Sequence, residues 1–151
     1  MREAVRAGHF EEPGWWEYGP GALRTPNAAF AGAQGCQLFK ISTAFQNPAI
    51  DQALILEPGT VCAPSFMAHP INNPGVVRMD VDRGDGTPVT VLSQSNFSPA
   101  AWRKVEGASF TAVGSLGSVR ILTASGNNRG WNVDNVSIQA DVGDEVGKKW
   151  G

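Results

Sequence analysis

The sequence predicts an all-β domain built as a two-sheet antiparallel β-sandwich, and three observations predict it. Turn residues recur at short intervals: Gly 18 and Pro 10 in 151 residues, with only 17% charged, leave little room for long amphipathic helices, because both residues interrupt a helical pattern. Between the turns, apolar and polar residues alternate with the period of two that a half-buried strand requires. The 42% hydrophobic fraction suffices for one core, and the chain has the usual length of one domain.

Strand-like segments fall at 35–41, 52–56, 61–68, 76–82, 89–94, 102–113, 119–124 and 131–139, each bounded by residues that reverse a chain cheaply. Glu57-Pro58-Gly59, Asn72-Asn73-Pro74-Gly75 and Asp85-Gly86 are the clearest of these turns. The Asp85-Gly86 hairpin also accounts for Arg83-Gly84-Asp85, which is therefore no adhesion motif. Within 76–82 the pleat puts Val77, Met79 and Val81 on a core face and Arg78, Asp80 and Asp82 on the other. In 119–124 the alternation is mixed, so both faces are partly covered there. Pro64 lacks the N–H of a ladder residue, which predicts an edge or a bulge at its strand. Residues 43–51 are the one place for a short helix. Cys36 and Cys62 fall in strand-like segments, where free thiols pack as small apolar groups; a single bridge between them stays open. The domain is read as 8–140, with 1–7 as an N-terminal arm and 141–151 as a C-terminal tail bearing Trp150.

Charge and hydropathy exclude several classes. A net charge of −2 lacks the broad positive field that phosphate binding needs, so no nucleic acid is expected as a partner. No apolar run approaches the ~20 residues of a spanning helix, so no membrane insertion is expected. The start, Met1-Arg2-Glu3-Ala4-Val5-Arg6, carries charge where a signal peptide has its apolar stretch. No C-x-x-C pair or His cluster supports zinc.

Several segments, in order, carry a resemblance. Gly8-His9-Phe10-Glu11-Glu12-Pro13, then Ile50 to Thr60, Ser65-Phe66-Met67-Ala68, Trp102 to Ala112, and Gly130-Trp131-Asn132-Val133-Asp134-Asn135-Val136-Ser137-Ile138 are similar to the opening, middle and closing strands of galactose-binding-like jelly rolls. That group holds carbohydrate-binding-module families such as 4, 9 and 22, and the likeness spans residues 8 to 139. Cys62 stands where the family usually has a Tyr.

The resemblance implies a jelly-roll sandwich and a non-catalytic glycan-binding or adhesion role. It also implies a structural calcium ion between Glu11 and Asp134, since members commonly hold one between the matching acidic positions, and calcium takes six to eight oxygens. Trp102 and Trp131 match structural positions and are expected in the core.

Sugar recognition needs flat aromatic faces and polar groups that reach hydroxyls. Trp15, Trp16 and Tyr18, in a Gly- and Pro-rich loop, meet the first need, although only one of two adjacent Trp can point inward. Asn127, Asn128 and Arg129, before the last strand, are the candidate polar partners. Catalysis has little to work with. Glu11 and Glu12 are neighbours that face opposite ways and cannot flank a glycosidic bond, and no nucleophile elbow is present; no enzyme is expected. With no export signal at its start, the chain is expected to be either a mature or trimmed form or one that reaches its place without a secretory pathway, and the expected location is the extracellular space or a virion surface, where bacteriophage jelly rolls serve host attachment. The alternative is a purely structural virion component, a head decoration, head spike or tail protein gripping its neighbours through the termini, with Trp150 as the apolar anchor.

Overall fold

The computed structural model describes residues 2–40 and 47–141. In chain order the strands are β1 (Arg2–Glu3), β2 (Glu17–Tyr18), β3 (Ala22–Thr25), β4 (Gly35–Lys40), β5 (Ala49–Ile55), β6 (Val61–Ile71), β7 (Val76–Asp82), β8 (Pro88–Gln94), β9 (Arg103–Glu106), β10 (Phe110–Thr111), β11 (Leu116–Ala124) and β12 (Arg129–Asp141). They form two antiparallel sheets, as the alternation predicted. The seven-stranded sheet runs β10-β6-β12-β4-β3, with β1 also on β12 and β9 also on β6; the five-stranded sheet runs β2-β5-β11-β7-β8. One 3-10 turn, Pro26–Ala28, stands between β3 and β4.

The sandwich closes on the inward residues of both sheets. Val77, Met79 and Val81 are fully buried, as the pleat required, and they face Leu38, Phe66, Trp131 and Ile138 from the other sheet. On β11, Val119, Ile121 and Thr123 point inward, while Leu122 is buried on the opposite face, so both faces of this strand are indeed partly covered. Cys36 and Cys62 are free, buried thiols, and burial pushes both thiol pKa values up.

The region around Pro64 shows how one residue shapes a sheet. β6 is not an edge strand; instead its partner is interrupted, with β9 pairing at 65–68 and β10 at 61–62. The gap falls opposite Pro64, on the side where its N–H is missing: Gly107 donates to the Pro64 carbonyl at 3.0 Å, and Ala108 turns away to the Val91 carbonyl. A Cβ at Gly107 would lie 2.3 Å from the Val91 oxygen, so this crossing needs glycine. The segment predicted as one strand, 102–113, is therefore two.

Other expectations are corrected. Of the expected N-terminal arm 1–7, Met1 lies outside the described residues and the following residues join the sandwich: β1 pairs with Gln139 and Ala140 of β12, and Val5 is buried. The Gln52 amide both accepts from the Arg6 N–H at 2.7 Å and donates to the Arg6 carbonyl at 2.8 Å, acting as a substitute strand partner. Of the expected helix at 43–51, residues 43–46 lie outside the described residues, and Ala49 begins β5, paired with Leu122. Trp150 and the rest of the tail beyond Asp141 also lie outside them. The Arg83-Gly84-Asp85 stretch is the β7–β8 turn, in which Asp82 Oδ1 accepts from the Gly84 and Gly86 N–H groups.

Candidate functional site

The aromatic loop resolves into two inward rings and one outward ring. Trp16 is 6% exposed, stacks on Phe10 at 5.6 Å and donates its indole N–H to the Ala7 carbonyl at 3.0 Å. Tyr18 faces the interior from β2; its enclosed hydroxyl has no partner, and burial pushes its pKa up to about 12. Neither offers a face to a ligand. Trp15 is 54% exposed, held outward by a positive φ of 77°. It borders a depression of about 530 Å3 with Arg2, Glu3, Ala4, Arg6, Ala53 and Ile55, and the Arg6 guanidinium already lies 4.7 Å over its ring.

The expected polar partners are elsewhere. Asn128 donates its N–H to the Lys40 carbonyl at 2.6 Å, its own carbonyl accepts from Asn72 at 3.0 Å, and Arg129 reaches the Asn73 carbonyl at 3.3 Å. Asn127 is exposed on the same turn. These residues pack against the β6–β7 turn, not against Trp15, so the loop pair proposed from sequence is not one site.

Strand register assembles a different constellation on the outer face of the seven-stranded sheet. Leu23 pairs with Gln37, Gln37 with Asn132, and Asn132 with His69, one residue from each of four neighbouring strands in a single row. Beyond His69 stands Trp102, at 5.6 Å between rings, and Phe30 covers Trp102 from the loop before β4 at 5.4 Å. Trp102 is thus a partly exposed surface ring and not the core residue expected, because alternation from the inward Val105 puts it outward; Trp131 is fully buried, as expected. The His69 Nδ1 lies 2.9 Å from the Pro70 carbonyl. A carbonyl only accepts, so this nitrogen carries the proton and, in the neutral ring, Nε2 is left to accept. The row therefore offers amide donors and acceptors, an imidazole acceptor, and two aromatic rings. Below it the same face continues as a groove of about 410 Å3 with Ser65, Met67, Lys104, Asn135 and Ser137 in its walls.

Glu11, in the segment before β2, and Asp134, on β12, each accept backbone N–H groups of the loop that carries Phe30. Asp134, fully buried, accepts the N–H of Phe30 at 2.9 Å and of Ala31 at 3.2 Å on Oδ2, and that of Asn135 at 2.8 Å on Oδ1. Burial pushes its pKa up while these N–H groups pull it back. Glu11 accepts from Ala33 at 2.8 Å and from Gln34 at 2.9 Å, and these two bonds hold its pKa below the usual value. The loop passes so close that a Cβ at Gly35 would lie 1.9 Å from the Ala28 oxygen. The donor set does not fit calcium. All four carboxylate oxygens face backbone N–H groups where a cation needs oxygens, and no group of three or more His, Cys, Asp or Glu among the described residues is arranged to hold a metal.

Both Glu11 oxygens are engaged with the loop, and Cys62 and His69 lie on opposite faces of β6, one buried and one outward.

A two-layer jelly roll with an aromatic and amide row on one sheet has the fold of carbohydrate-binding modules. A family 16 carbohydrate-binding module superposes with a TM-score of 0.69 at 19% identity, covering 90% of this chain and 99% of that one. A family 61 module in complex with β-1,4-galactotriose does so with 0.71 at 13% identity, covering 93% and 100%. Modules of families 22 and 4 superpose as well. The fold also matches part of the enzymatically active domain of a bacteriophage CBA120 tailspike, at 0.61 and 16% identity, covering 91% of this chain and 21% of that one. No protein-family model and no curated protein matches the chain.

Proposed function

We propose that the protein is a non-catalytic glycan-binding module whose recognition face is the outer face of the seven-stranded sheet. The observation that carries this reading is the register row Leu23, Gln37, Asn132, His69 and Trp102, with Phe30 beside it. Pyranose rings present an apolar side to aromatic faces and hydroxyls to planar amides, and this row supplies both within neighbouring strands. It holds no Asp, Glu, Lys or Arg, so neutral polysaccharide is the ligand class it suits. A module of similar fold in complex with a neutral oligosaccharide, β-1,4-galactotriose, supports the choice. The working place on this reading is outside the cell or on a particle surface, and host attachment is the corresponding role. No helix among the described residues is long and apolar enough to cross a membrane.

The test is affinity electrophoresis against neutral polysaccharides, β-1,4-galactan first, backed by a glycan array. Retention by at least one neutral polysaccharide, lost on Trp102→Ala and kept on Trp15→Ala, is expected. Absence of retention by every polysaccharide overturns the proposal.

The tailspike likeness favours a second reading, in which the sandwich is a docking brick in a virion with no sugar site. On it, removal of residues 141–151 abolishes incorporation into particles while the melting transition is kept, and Trp102→Ala changes nothing.

A further inference from the structure

Arg24 does something at the Glu11–Asp134 clasp that the resemblance does not imply. It stands on β3 opposite Cys36, and its guanidinium reaches back to the opening segment. There Nε donates to the Phe10 carbonyl at 2.5 Å and Nη2 to the Glu11 carbonyl at 2.7 Å. Phe10 adopts a positive φ of 60°, and its carbonyl and the next converge on one planar fork. These are backbone oxygens of the opening segment, the kind of ligand that a cation between Glu11 and Asp134 requires beside the two carboxylates. Here a side-chain cation takes them, while the carboxylates take N–H groups of the Phe30 to Gln34 loop. His9 is the other titratable group at the clasp, bonded through Nδ1 to Asn135 at 2.7 Å.

We infer that the Arg24 guanidinium is the built-in cation of this clasp, so that the domain closes its opening segment onto its closing strand without calcium. The physical reason is complementarity. A carboxylate saturated by N–H donors, as Glu11 is, gains from nearby positive charge but needs no further ligand bonds, and the Arg24 guanidinium supplies that charge through directed hydrogen bonds to carbonyls. The arrangement also fixes Phe30, which rides on the clasped loop. The inference does not depend on the ligand of the sheet face, because every readout below is thermal or calorimetric and uses no glycan.

The experiment is thermal melting of the full chain in excess EDTA and in excess calcium, with isothermal titration of calcium alone. The expected result is the same midpoint in both and no calcium heat. An ion present at a hundredfold its dissociation constant would raise the midpoint by about 10 °C, and such a rise, or a saturable calcium isotherm, overturns the inference. Arg24→Ala is expected to lower the midpoint by about 5 °C or more relative to Leu23→Ala, an exposed neighbour on the same strand. Arg24→Lys should recover only part of the loss, since it restores charge but not the fork. Arg24→Ala matching the Leu23→Ala control overturns the inference as well, and should Arg24→Ala not fold, Arg24→Lys and the calcium titration of the unmodified chain still decide it.

Discussion

The outer faces of the two sheets use their polar residues in opposite ways. On the five-stranded sheet they satisfy one another. Arg120 Nε meets Asp51 Oδ1 at 2.6 Å across β11 and β5, Arg78 meets Asp80 at 3.2 Å, and the Thr90 hydroxyl donates to Asp80 at 2.7 Å. β5, β7, β8 and β11 carry no aromatic side chain. On the seven-stranded sheet the row from Leu23 to Trp102 keeps amides, an imidazole and rings side by side with few internal partners, the Gln37–Asn132 contact being a long 3.5 Å. A face whose charges pair off is a solvated surface. One that leaves planar polar groups open beside aromatic rings is suited to meet another molecule.

The sharpest break in this comparison is Asp134→Ala, beneath the recognition face. It leaves the N–H groups of Phe30, Ala31 and Asn135 without their acceptor, offset in part by relief of a buried carboxylate, and a loss of about 2–3 kcal/mol in denaturant unfolding is expected. Next comes the recognition face itself. Trp102→Ala should weaken glycan affinity about tenfold, which is about 1.4 kcal/mol, while Arg120→Ala on the other sheet leaves it unchanged; equal effects in a titration would erase the distinction between the faces. On the five-stranded side, Asp51→Ala removes only a solvent-exposed ion pair and should cost less than about 1 kcal/mol.

The smallest effect is a pH dependence at the clasp, in which the two carboxylates act with opposite sign. Glu11, its pKa lowered in the folded state by Ala33 and Gln34, contributes stability that is present above 4.5 and lost as pH falls through its depressed value. Asp134, raised by burial, penalises the charged folded state above 3.8 and is relieved on acidification. The midpoint difference between the unmodified chain and Glu11→Gln should therefore narrow below pH 4.5, and a difference constant from pH 7 to 3 would show that the Glu11 bonds do not survive in solution.

Much of the fold was legible because its signals are local. Val77, Met79 and Val81 announce their shared face by spacing alone, Asp85-Gly86 announces its turn, and the closing Gly130 to Ile138 strand reads as such from alternation. Pro64 was legible as a disturbance, but the sequence of β6 does not say whether the strand itself or its partner yields. The site was less legible. Gln37, His69 and Asn132 each read as an outward polar residue opposite a buried neighbour, a signal available in the sequence and not enough to join them, since strand order and register decide which outward residues share a row. The Trp15-Trp16-Tyr18 cluster drew attention by composition, yet two of its three rings serve the core.

The amino-acid sequence by itself determined the class of the fold, the positions of most strands and turns, and the inward sets. Only the tertiary structure decided that Trp15 and not Trp16 faces solvent, that Trp102 lies on a surface row, and that the Glu11 and Asp134 carboxylates accept backbone N–H groups of one loop. The reason is physical: side-chain alternation is a property of consecutive residues, whereas register and hydrogen-bond polarity arise between segments far apart in the chain, as between Phe30 and Asp134.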